Sequence, residues 1–83
     1  MARSIWQLST EELYNEQERR SRHVRSLEAQ ISRKEVLLSA VKQQDYWYYQ
    51  TKEELNGLER ELREAKSALN DIEVEIFSRT NPY

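Results

Sequence analysis

The chain has no cysteine and only one glycine, one proline and one histidine among 83 residues. Each shortage removes a class of chemistry. Without cysteine there is no disulfide, no thiol nucleophile and no Cys/His zinc site, an inventory that fits a reducing compartment. A single glycine cannot build a Gly-rich phosphate loop. The lone His23 has Arg20 three residues before it, so the Glu-x-x-His pair that helical bundles use for metals is missing as well. The run Ser39-Ala40-Val41-Lys42 matches S-x-x-K by letters alone. The inventory implies no metal and no cofactor, and an enzyme is not expected. Long apolar runs are also missing: nothing approaches the roughly 18 residues of a spanning helix, and "MARSIWQLS" lacks the apolar core of a signal peptide. The expectation is a soluble protein, cytoplasmic in its producing cell or in a viral host, without a membrane partner.

What the chain does have is charge. Asp, Glu, Lys and Arg make up 34% of it, at a formal net charge of −2, which is the composition of long exposed helices. Residues 1–44 hold eight Lys/Arg against six Asp/Glu, and residues 45–83 hold five against nine, so the first half is mildly basic and the second acidic.

The helix signals are local and specific. In "LSTEEL", Ser9 and Glu12 have the spacing of a capping box, with Leu8 and Leu13 as a hydrophobic staple, so a helix starts at Thr10. From there Leu13, Gln17, Arg20, Val24, Leu27, Ile31, Lys34, Leu38 and Val41 recur at steps of four and three. A second seam runs through Tyr48, Thr51, Leu55, Leu58, Leu62, Ala65, Leu69, Ile72 and Ile76 with the phase reversed. Read in opposite directions, the two lists are mirror-matched about positions 44 and 45, as two antiparallel helices require.

Two architectures satisfy that mirror. One is an all-α antiparallel two-helix hairpin, a coiled coil dimerising into a four-helix bundle. The alternative is a single long helix in an antiparallel coiled-coil dimer. The absence of Gly and Pro from the turn region counts against the hairpin. "TKEEL" at Thr51 to Leu55, a second capping box through Thr51 and Glu54, counts for it. The hairpin reading divides one domain, 1–83, into an N-terminal segment 1–8, helix 1 over 9–43, an aromatic turn 44–50, helix 2 over 51–79 and a tail 80–83. Ile5, Trp6 and Leu8 are expected beside Phe77, Pro82 and Tyr83 at the open end. Arg20, opposite Leu69 in the seam, is expected to run outward along its stem rather than stay buried and unpaired.

Function is less legible. Tyr46, Trp47, Tyr48 and Tyr49 occupy four consecutive positions, and on a helix these point about 100° apart, so one seam can bury one or two. Val36, Leu37 and Ala40 lie off the seam, and in an unbroken helix Trp47 would continue the line of Val36 and Ala40. The partner-binding set is therefore Val36, Leu37, Ala40, Tyr46, Trp47 and Tyr49, large rigid aromatics being the usual anchors of protein contacts. No amphipathic apolar face supports a membrane interface.

Energetics points the same way. Of the nine seam layers only Leu13/Ile76, Val24/Ala65, Leu27/Leu62, Ile31/Leu58 and Val41/Tyr48 lack a polar member, too few for a hairpin to stand alone. The reading is a non-catalytic protein–protein interaction module: an adaptor, assembly factor or stoichiometric inhibitor that dimerises and offers its aromatic tip to a larger protein. Two alternatives stand beside it. One is a nucleic-acid-associated regulator using the Arg-rich face of Arg19, Arg22 and Arg25. The other is a structural coiled-coil spacer.

Overall fold

The computed structural model describes residues 4–42 and 45–81. A single 3-10 turn, Ile5–Gln7, leads into helix α1, Thr10–Ala40, which is followed by helix α2, Tyr46–Thr80. The helices pack antiparallel as a hairpin measuring 55 × 26 × 19 Å, so the continuous-helix alternative is excluded. Among the described residues there is no strand.

α1 starts where its capping box places it. The Glu12 N–H donates to Ser9 Oγ at 3.1 Å, and the Ser9 N–H donates to Glu12 Oε1 at 3.0 Å. Two backbone donors freed by the first turn are thereby satisfied. α2 ends at Thr80, with the Asn81 N–H donating to the Phe77 carbonyl at 2.8 Å.

The turn differs from the sequence expectation. α1 closes at Ala40 rather than 43, and α2 begins at Tyr46 rather than at Thr51, so the segment expected as an aromatic turn is the first helical turn of α2. The second capping box does not form: Thr51 lies inside the helix and is buried. The physical reason is burial. Tyr48 and Thr51 occupy seam positions facing Val41 and Leu38, and they reach the seam together only if the helix already runs through them. Val41 (φ −99°, ψ 137°) and Asp45 (φ −79°, ψ 145°) bracket the turn in extended conformations, and no described residue has a positive φ.

All eighteen seam positions are buried or half-buried. The core nevertheless divides into two clusters. One contains Leu13, Ile72 and Ile76 with Ile5 and Leu8 against them; the other contains Val24, Leu27 and Ala65 with Leu58, Leu62 and Leu69. Gln17 and Arg20 separate the two. Arg20 does more than snorkel: its Nε donates to Glu16 Oε1 at 2.9 Å, and Nη1 crosses to the Ala68 carbonyl of α2. The polar layer is thus satisfied by a bridge between helices.

The open end also departs from expectation. Ile5 and Leu8 close it, whereas Trp6 and Phe77 are exposed; Pro82 and Tyr83 lie outside the described residues. Arg79 fastens the N-terminal turn by donating from Nε to Glu75 at 3.0 Å and from Nη2 to the Trp6 carbonyl at 3.2 Å.

Candidate functional site: the aromatic end of the hairpin

α2 presents its aromatics in its first turn, with Asp45 as the N-cap residue. At 100° per residue, four consecutive side chains fan around the helix, and only Tyr48 turns toward α1. Tyr46, Trp47 and Tyr49 are exposed to 74%, 64% and 65%. The rings pair edge to face instead of dispersing: Tyr46 and Trp47 at 5.7 Å between centroids, Tyr48 and Tyr49 at 5.5 Å. Such geometry is the favoured one for aromatic quadrupoles.

The six residues expected to form one contact surface are all exposed, yet they do not share one face. Because the chain reverses between Ala40 and Tyr46, the line from Val36 and Ala40 to Trp47 is cut. Val36 and Ala40 lie on the side of α1 turned away from α2. Leu37, three residues after Lys34, and Trp47, one heptad before Glu54, fall on the flank crossed by the Lys34–Glu54 ion pair. Tyr46 stands beside Trp47 toward the outer side of α2, and Tyr49 sits around the helix from both.

On the other flank the end opens into a cleft of about 490 Å³ that the sequence did not reveal. It is lined by Leu38, Val41, Tyr48 and Leu55 with Glu35, Ser39 and Glu59 at its edges. The Lys52 ammonium sits 5.7 Å from the centroid of the Tyr48 ring, a cation–π distance.

The arginine face has a different character. Arg19 is paired with Glu16, and Arg22 with Glu18, each within one turn of α1. The Arg19 hydrogen bond holds the Glu16 carboxyl below its ordinary pKa, with Arg20 adding to the effect against partial burial. Arg22 does the same for Glu18, and Glu16 in turn raises the Arg19 guanidinium. Arg19 and Arg22 therefore spend part of their charge on their own helix. Arg25 has no ion pair among the described residues.

No helix among the described residues is long and apolar enough to cross a membrane. Compared with models of known protein families, with curated proteins and with solved structures, the chain matches none.

Proposed function

We propose that the protein is a non-catalytic interaction module, an adaptor, assembly factor or inhibitor whose aromatic end docks onto a larger protein. The observation that carries this reading is the edge-to-face pair of Tyr46 and Trp47, largely exposed at the start of α2 with Leu37 on the same flank as Trp47. Large aromatic side chains held rigid lose little entropy on binding and bring much apolar area, which is why they dominate contact energetics. Nothing within the described chain covers them.

The nucleic-acid reading through Arg19, Arg22 and Arg25 has less support, because Glu16 and Glu18 already answer two of the three charges. The spacer reading gives the exposed aromatics no role.

The test is affinity capture from lysate of the source cell or its host, treated with nuclease, comparing wild type with Trp47→Ala/Tyr46→Ala. A partner held by wild type and lost in the variant, with chain mass by light scattering unchanged, supports the reading. Emission of Trp47 in a Trp6→Phe background should shift to the blue when the purified partner is added. A partner that the variant captures as well as wild type does would overturn the assignment.

A further inference from the structure

The two flanks of the hairpin differ in how their charges are answered. On the flank of Leu37 and Trp47 most charges close within the chain, Glu16 with Arg19 and Arg20, Lys34 with Glu54, and Glu75 with Arg79, although Glu61, one heptad after Glu54, has no ion pair among the described residues. The opposite flank is unfinished. Lys52, Glu59, Lys66 and Glu73 follow one another there at heptad spacing, exposed and alternating in sign. Lys66 reaches Glu28 only at 4.0 Å, and Glu59 and Glu73 have no ion pair among the described residues. At one end of this flank lies the open cleft under Tyr48; at the other stand Phe77, 63% exposed, and Tyr14.

We infer that this flank is a self-complementary interface, and that its occupant is a second copy of the chain, docked antiparallel about a two-fold axis. The axis passes α2 between Leu62 and Arg63. It then places Tyr48 opposite the partner's Phe77, Lys52 opposite the partner's Glu73, and Glu59 opposite the partner's Lys66, each pair occurring twice by symmetry. Both charge pairs are attractive, and the aromatic ring left exposed at the open end meets the cleft left open at the turn.

The same axis, carried through the hairpin's own mirror, passes α1 between Ser26 and Leu27. There Arg25 faces the partner's Glu28, Ser21 faces the partner's Ser32, and Tyr14 faces the partner's Ser39, so small side chains let α1 approach its copy. Two like-charged contacts arise in this register: Glu18 with the partner's Glu35, where Arg22 already neutralises Glu18, and Arg63 with the partner's Arg63 beside the axis.

The exposed area supports an occupant of this size. The chain exposes 6640 Å², against roughly 5,300 Å² for a compact monomer of its mass. The surplus, on the order of 1,300 Å², exceeds the roughly 800 Å² per partner that a standard interface covers. This dimer leaves Trp47 and Leu37 open, so it does not rest on the proposed function and could hold if that reading failed.

Two charge-reversed variants test it. Glu59→Lys/Glu73→Lys makes the stripe wholly basic, and Lys52→Glu/Lys66→Glu makes it wholly acidic. Light scattering and circular dichroism are recorded over a concentration series for wild type, for each variant alone and for their equimolar mixture. Wild type should have about twice the 10.1 kDa mass of the chain. Each variant alone should dimerise at least about tenfold more weakly, because every reversed pair now repels. Mixing should restore both mass and helicity, since each basic stripe then faces an acidic one. A wild type that keeps the mass of one chain overturns the inference and leaves the flank to a different protein. Variants that dimerise like wild type, or a mixture that recovers nothing, overturn it equally, even if a variant alone loses helix.

Discussion

The two ends of the hairpin start from similar material, aromatic and aliphatic side chains beside the last layers of the seam, and reach opposite results. At the open end a segment precedes α1 and folds back, so Ile5 and Leu8 cover Leu13, Ile72 and Ile76 while Arg79 holds the Trp6 carbonyl. Leu13 and Ile72 there have no exposed surface at all. At the turn the chain reverses between Ala40 and Tyr46, and no other described segment folds back over the last seam layers. Leu38, Val41 and Tyr48 stay half-open beside a cleft, and three aromatics face outward. One end of the seam is sealed by local chain, and the other stays half-open.

The largest expected effect breaks the sealed end. Leu13→Ala, or Ile72→Ala, should cost about 2–5 kcal/mol, the range for deleting a fully buried aliphatic side chain. Trp47→Ala should change stability by no more than about 0.5 kcal/mol, as exposed positions do. Thermal or urea unfolding followed by circular dichroism measures both. Comparable losses at the two ends would mean that the turn carries structural weight its exposure denies.

A smaller change sharpens the comparison from within α2. Gly57 sits in the half of α2 nearer the turn, and a Cβ added there meets nothing within 4 Å. Gly57→Ala should therefore stabilise by about 1 kcal/mol, the helix propensity difference between the two residues. Hydrogen exchange should slow most for amides around position 57 and least at the sealed end. A destabilised variant would show that the glycine makes room for another chain.

The smallest effect is electrostatic. The pKa of Glu16 is lowered in the folded state, mainly by its hydrogen bond from Arg19. A depressed carboxylate contributes stability above its unfolded pKa and loses that contribution as pH falls through the folded value. The advantage of wild type over Glu16→Gln should thus be present at neutral pH and disappear in acid below the ordinary glutamate range. Melting curves of both proteins across that window measure it. An advantage independent of pH would assign Glu16 a packing role instead.

Much of this protein follows from local rules that a sequence states openly. The capping box at Ser9 and Glu12 and the two phase-reversed heptad seams reappear as the start of α1 and the buried stripe of both helices. Periodicity is a strong signal because every seam residue must meet the other helix on the same face. That Tyr46, Trp47, Tyr48 and Tyr49 could not all join the seam was legible for the same geometric reason, since four consecutive helical residues cannot all turn inward.

Tertiary structure decided the rest, wherever a local preference competed with burial across the hairpin. Thr51 and Glu54 have the letters of a capping box, yet the seam draws Tyr48 and Thr51 into the helix and moves its start to Tyr46. Arg20 found its acceptor on Ala68, 48 residues away, a partner no spacing rule points to. Trp47 left the line of Val36 and Ala40 because the chain turns before reaching it. Periodicity along one helix is a property of sequence, whereas the flank on which two helices bring their side chains together exists only once they have packed.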